Sequence, residues 1–208
     1  MKLGVFGGTF DPVHIGHMVA VEAARICVGL DRAMFIPAGQ PWFKADRELT
    51  AGHHRMEMIK AATYNDPHFE VSDMELKRAG PTYTADTLAQ LKSTLDDTVE
   101  LFLIVGLDAL RELDRWHDPK RILDLATLVG VPRPGAEALS RQPLENLRHG
   151  AADAVIVVSG PLVDVSSTDI RRRVHRGTSI RRLVPEAVET YIGTHRLYAP
   201  TEGSIRDG

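Results

Sequence analysis

Two hydrophobic periods alternate along the chain. A short apolar run at 3–6 predicts a strand that stops at Gly7 and Gly8. Beyond it, Met18, Val21, Ala24 and Val28 recur at helical spacing from Ile15 onward, with Gly29 placed to cap the C-terminus. Residues 33–37 read as a buried strand, and the Pro- and Gly-containing stretch 37–44 as a loop. Thr50 is expected to cap a helix reaching about 62, before a weaker strand at 69–72. After the Gly80-Pro81 turn comes a helix over 85–95. The run "VELFLIV" at 99–105 is apolar almost throughout, as a central strand covered on both faces must be. Asp118-Pro119 opens a helix with proline at its first position, 127–131 is a strand, 139–149 a polar surface helix and 154–158 a last strand. Ser166-Ser167-Thr168-Asp169 has the form of a capping box, and Pro185 opens a final helix to about 194.

Five or six strands alternating with helices imply an α/β fold with a doubly wound parallel sheet and a small helical C-terminal part. Residues 1–208 are expected to form a single domain, with about 166–200 as its helical subregion. Ligands in such sheets bind beyond the carboxyl ends of the strands. With 43% hydrophobic and 25% charged residues, the composition excludes a disordered or fibrous chain. A net charge of −3 argues against a nucleic-acid coat, so affinity for anions must come from local clusters. The single cysteine, Cys27, permits no intramolecular disulfide and suits a reducing compartment. Its apolar neighbourhood predicts plain core packing. The chain enters a strand at once, and no apolar run is long enough to span a bilayer. A cytoplasmic protein without membrane or nucleic-acid partners is expected, and a homo-oligomer is left open.

The chemistry concentrates in Gly7-Gly8-Thr9-Phe10-Asp11-Pro12-Val13-His14-Ile15-Gly16-His17. Glycines allow close approach of backbone to an anion, and a following helix start supplies N–H groups and the positive end of its dipole. His14 and His17, three apart, share one helix face. The dinucleotide fingerprint G-x-G-x-x-G and the Walker pattern are both absent. A zinc site lacks a third and fourth ligand, since His53 and His54 belong to another element. The arginine-rich run 171–182 distributes its side chains around a helix, so only Arg171 is carried as a candidate.

The run GGTFDPVHIGH resembles the signature of the nucleotidyltransferase α/β-phosphodiester superfamily, whose H-x-G-H element is shared with class I aminoacyl-tRNA synthetases. With "GPTYTADTL", "VGLD" followed by Trp116, "RPG" and "VSSTDIR" in order, the chain is similar to the bacterial nicotinate-nucleotide adenylyltransferases from Gly7 to about Tyr198. The resemblance implies a Rossmann-like fold and transfer of the adenylyl group of ATP to nicotinate mononucleotide, with no covalent enzyme intermediate. It places Gly8, Thr9, Phe10, His14, His17, Gly106, Asp108, Ser167, Thr168 and Arg171 at ATP, with His14, His17, Lys44 and Arg171 as catalytic groups. Lys44, Thr84, Ala85, Trp116 and His117 are placed at nicotinate mononucleotide, Trp116 stacking on the ring and Thr84 with the backbone of Ala85 and His117 holding the carboxylate. Mg2+ would enter with ATP, held mainly by phosphate oxygens and water, with Asp11 and Asp108 as acids able to approach it through water. Two departures stand out. Lys44 follows Pro41-Trp42-Phe43 where Pro-Pro-His is usual, and Leu107 replaces the alanine of a G-A-D segment. Competing readings are the same chemistry on nicotinamide mononucleotide or phosphopantetheine, cytidylyl transfer to a phospho-alcohol, or a nucleotide sensor without turnover.

Overall fold

The computed structural model describes residues 1–41, 49–135, 139–161 and 163–200. Eight strands follow in chain order: β1 (Lys2–Gly8), β2 (Arg32–Pro37), β3 (Gln40–Pro41), β4 (Phe69–Val71), β5 (Pro81–Thr82), β6 (Glu100–Gly106), β7 (Thr127–Val131) and β8 (Ile156–Val157). Six of them pair in parallel in the order β4-β2-β1-β6-β7-β8, and β3 pairs with β5 separately. The helices are α1 (Ile15–Val28), α2 (Gly52–Thr63), α3 (Thr84–Thr94), α4 (Leu107–Leu110), α5 (Pro119–Leu125), α6 (Gln142–Leu147), α7 (Ser167–His175) and α8 (Glu186–Thr194). This is the doubly wound parallel sheet that the strand–helix alternation implies.

The apolar strands are sorted by the two-residue period. Phe102 and Ile104 of β6 face one side, with Phe35 and Val129, beneath Val21 and Ala24 of α1, Met58 and Ile59 of α2, Ile170 of α7 and Val188 and Ile192 of α8. Leu101, Leu103 and Val105 face the other, with Leu3, Val5 and Leu128, beneath Leu88 and Leu91 of α3, Ile122 of α5 and Leu144 of α6. The C-terminal helices therefore share one apolar cluster with the sheet. Among the described residues no helix is long and apolar enough to cross a membrane.

Several local expectations are corrected. Ala51, not Thr50, is the N-cap of α2, and the Thr50 carbonyl instead accepts from Arg55 Nε at 2.9 Å. The helix expected over 139–149 contracts to α6: Pro143 fits only the first turn, and Glu145 turns the chain back by accepting from the N–H groups of Gly150 and Ala152. Nor is α6 purely a surface helix, since Leu144 is fully buried. β8 is shorter than expected because it pairs with β7 alone at the sheet edge and leaves Val157 46% exposed. Cys27 is exposed, turned off the Val21–Ala24 stripe that meets the sheet.

Candidate active site

β1 brings the chain to the carboxyl edge of the sheet between β2 and β6, where the strand order reverses direction. In doubly wound sheets this reversal opens a crevice for ligands. The turn over 9–13 crosses it and enters α1. Gly8 is required by packing: a β-carbon there would lie 2.8–3.2 Å from carbons of the Phe10 ring. Phe10 adopts the left-handed conformation (φ 50) and buries its ring against Phe6, Phe35 and His17, at centroid distances of 5.4, 5.8 and 5.1 Å. Only its backbone is left to face a ligand.

His14 is the N-cap of α1 and its ring stacks on that of His17, with centroids 3.6 Å apart and planes 23° from parallel. Gly16 makes this possible, because a β-carbon at that position would stand 3.0 Å from His14 Nδ1. The spacing H-x-G-H thus has a steric reason beyond openness to an anion. His17 Nδ1 accepts the backbone N–H of His14 at 3.2 Å. An accepting Nδ1 carries no proton, so the neutral ring holds its proton on Nε2 and presents it as a donor. His14 is 6% exposed, and burial, with the nearby positive charge of Arg133 second, lowers its pKa from 6.5 to about 4. It is neutral at pH 7, and its buried Nδ1 has no hydrogen-bond partner among the described residues. The N–H of Ile15, at the helix start, is already taken by the Leu183 carbonyl at 3.0 Å.

A cavity of about 200 Å³ opens beside this pair, lined by His14, Gly16 and His17 together with Gly106, Asp108, Arg133, Asp164 and Ser166. Gly106 ends β6 and Asp108 lies in α4. Leu107, between them, packs into the core against Gly130, so the departure from G-A-D enlarges the core rather than altering the cavity wall. Arg133, within the "RPG" run, is a cavity residue that the sequence reading does not include among its candidates. It lies two residues beyond the carboxyl end of β7, and its guanidinium is about 4 Å from where a Gly106 β-carbon would stand. Among the described residues it has no hydrogen-bond or ion-pair partner, which leaves it as a cation at the mouth of the cavity.

Gly8, Thr9, Phe10, Ser167, Thr168 and Arg171 are not among the lining residues. Ser166 caps α7 by accepting the N–H of Asp169 at 3.1 Å, which frees Ser167 from that task. Ser167 Oγ donates to the Pro12 carbonyl at 2.9 Å, and Arg171 donates to the Asp11 carbonyl at 2.5 Å and to Thr168 Oγ1 at 3.0 Å. These residues clamp the 9–13 turn from behind. Arg172 and Arg173 both pair with Asp169. Asp11 is 2% exposed and bonded to Tyr198, so it is withdrawn from any metal approaching the cavity.

The segments expected at the acceptor meet outside this cavity, and Trp116 packs half-buried against the apolar cluster that contains Leu88 and Leu113. Tyr83, the N-cap of α3, stacks on His117 with centroids 4.2 Å apart, and Arg121 of α5 stands 3.8 Å from Asp86 of α3. Thr84 and Ala85 at the start of α3 thereby face the segment carrying Trp116 and His117. Ala85 itself is buried and can offer only backbone. Lys44, with Trp42 and Phe43, lies outside the described residues. No group of three or more His, Cys, Asp or Glu among the described residues is arranged to hold a metal ion.

Residues 5–173 match the cytidylyltransferase-like family. A protein of Dehalococcoides mccartyi named "Probable nicotinate-nucleotide adenylyltransferase" is 45% identical over 198 residues, covering 95% of this chain and 97% of that one. One of the same name from Thermomicrobium roseum is 43% identical over 204 residues, covering 98% and 94%. The fold is that of the Plasmodium falciparum nicotinic acid mononucleotide adenylyltransferase complexed with NaAD, with a TM-score of 0.75 at 18% identity, covering 95% of this chain and 97% of that one. The same enzyme complexed with APC gives 0.76 at 17% identity, with 95% and 96% covered.

Proposed function

The chain belongs to the cytidylyltransferase-like family and, within it, to the nicotinate-nucleotide adenylyltransferases, and from that premise we propose that its histidine-lined cavity aligns ATP for attack by the phosphate of nicotinate mononucleotide. The reaction transfers the adenylyl group of ATP to nicotinate mononucleotide, forming nicotinate adenine dinucleotide and pyrophosphate in NAD biosynthesis. A phosphate oxygen of the acceptor forms a bond to the α-phosphorus as the bond to the α,β-bridging oxygen breaks, and the electron pair leaves with pyrophosphate. No protein nucleophile is needed, so the work of the site is alignment and charge stabilisation.

The observation that carries this reading is the stacked pair His14 and His17, one ring fixed as an Nε2–H donor and both facing the cavity at the strand-order reversal. A neutral histidine with a fixed tautomer suits a developing phosphate charge as a hydrogen-bond donor. Neither ring is required as a general base, because the attacking phosphate is already anionic. His17 serves the α-phosphate, with His14 beside it. Arg133 at the cavity mouth serves the β- and γ-phosphates, and Gly106 with Asp108 accommodates the ribose. Lys44 and Arg171 are assigned to phosphate charge, and Arg171, with Ser167 and Thr168, also acts through the hold of α7 on the 9–13 turn. Thr84, Ala85, Trp116 and His117 form the acceptor pocket, in which backbone donors match a carboxylate better than a carboxamide.

The acids on the cavity wall, Asp108 and Asp164, fit a Mg2+ ion carried in on the nucleotide and approached through water, and not a resident ion in an all-protein cage. Bound there, Mg2+ neutralises charge on the phosphates. The cytoplasm is the compartment in which this reaction belongs. Direct transfer predicts that labelled pyrophosphate is not incorporated into ATP when enzyme, Mg-ATP and pyrophosphate are mixed without acceptor. Incorporation before nicotinate mononucleotide is added would require an adenylylated enzyme and overturn the direct mechanism.

A further inference from the structure

Behind the 9–13 turn lies a buried polar cluster, none of whose members lines the cavity. Asp11, 2% exposed, accepts the Tyr198 hydroxyl on Oδ1 at 2.8 Å, across 187 residues of chain. Arg55 of α2, 3% exposed, donates Nη1 to the Thr9 carbonyl at 2.9 Å and Nε to the Thr50 carbonyl at 2.9 Å. With Ser167 on the Pro12 carbonyl and Arg171 on the Asp11 carbonyl, the turn is gripped by α2, α7 and the end of the chain.

A peptide unit is planar, with its C=O and the following N–H pointing in opposite directions. Holding the Thr9 carbonyl therefore aims the Phe10 N–H the other way. Phe10 is left-handed, a conformation that a bulky residue keeps only when its surroundings enforce it. A carboxylate buried as deeply as Asp11 needs donors to remain in place. Burial, and the Asp11 charge second, push the Tyr198 phenol up from its ordinary value, so the hydroxyl keeps its proton and donates at neutral pH.

We propose that Tyr198 is a positioning residue for nucleotide binding: its hydroxyl fixes Asp11, and Asp11 with Arg55 holds the turn that sets His14 in the wall of the cavity assigned to ATP. The proposal rests on the assignment of the cavity to ATP. Its test measures binding of the non-hydrolysable α,β-methylene analogue of ATP to the full chain without acceptor, by calorimetry, alongside steady-state kinetics and melting temperature. Tyr198→Phe deletes one oxygen, which also lies 4.0 Å from Met58 Sδ, and keeps the ring that packs against the apolar cluster. It should weaken the analogue about fivefold to tenfold and raise KM for ATP by the same factor, with kcat and KM for nicotinate mononucleotide changed less than about twofold. In an Asp11→Asn background the same substitution should cost less than about twofold, because the partner is already weakened.

Tyr198→Phe with unchanged affinity for the analogue overturns the proposal, even if its melting temperature falls. Equal losses for ATP and nicotinate mononucleotide overturn it as well, as do fully additive losses in the double variant. Failure of the acceptor assignment looks different: the wild-type chain would bind the analogue and not turn over nicotinate mononucleotide.

Discussion

Replacing His17 with alanine is expected to lower turnover at least about a hundredfold, the usual cost of removing one fixed donor from a site of developing charge. Two roles meet in this ring. Nδ1 accepts the backbone N–H of His14, which stabilises the start of α1, and the ring lines the cavity to which the proposal assigns the Nε2–H. His17→Asn separates them, because an asparagine oxygen can take the place of Nδ1 while nothing reaches the position of Nε2. The asparagine variant should therefore recover part of any lost thermal stability yet stay nearly as slow as the alanine variant. Pyrophosphate release at saturating substrates, compared with melting curves, provides the check. Wild-type turnover in His17→Asn would show that Nε2 is not the working atom.

The largest expected effect on stability is at Phe35, 0% exposed in the middle of β2. Its ring meets Phe6, Phe10 and Phe69 at centroid distances of 5.6, 5.8 and 5.6 Å, so it supports the sheet and the underside of the 9–13 turn together. Phe35→Ala should cost about 3–5 kcal/mol in urea unfolding, from lost burial plus the cavity left in a close-packed cluster. Against a typical total of about 5–15 kcal/mol that is a large share. Tyr64→Ala, at a ring 87% exposed, should stay within about 0.5 kcal/mol and serves as the control.

Local physics made the parts nearest the chemistry legible. The apolar run of β6, the helical period of α1 and its left-handed Gly29 cap were all readable because each is decided by neighbours in sequence. So was Asp118-Pro119 at the start of α5, where proline at the first position removes an N–H that would have no partner. His14 and His17 stood out for the same reason, as a strand, glycines and a helix start within seventeen residues.

What escaped notice depends on contacts across the fold. Arg55 looks like any helical arginine until its partner Thr9, 46 residues away, is seen. Tyr198 sits in a terminal segment with no motif of its own, and its partner Asp11 reads locally as turn chemistry. Arg133 carried a signal, its place just beyond a strand at the ligand edge, but an exposed arginine beside proline does not announce which charge it faces. Ser167 and Arg171 were matched to ATP from their motif, whereas their present bonds run to the carbonyls of Pro12 and Asp11. Cys27 is exposed where core packing is expected, because apolar neighbours at the end of a helix do not tell which way the last turn points.

The choice of acceptor rests on Thr84, Ala85, Trp116 and His117, and one measurement addresses it directly. Initial rates of pyrophosphate release from Mg-ATP are compared with nicotinate mononucleotide, nicotinamide mononucleotide and phosphopantetheine offered separately at equal concentration. Turnover should be fastest with nicotinate mononucleotide, slower with its amide and absent with phosphopantetheine. Release with none of the three, or a preference for the amide, would contradict the account.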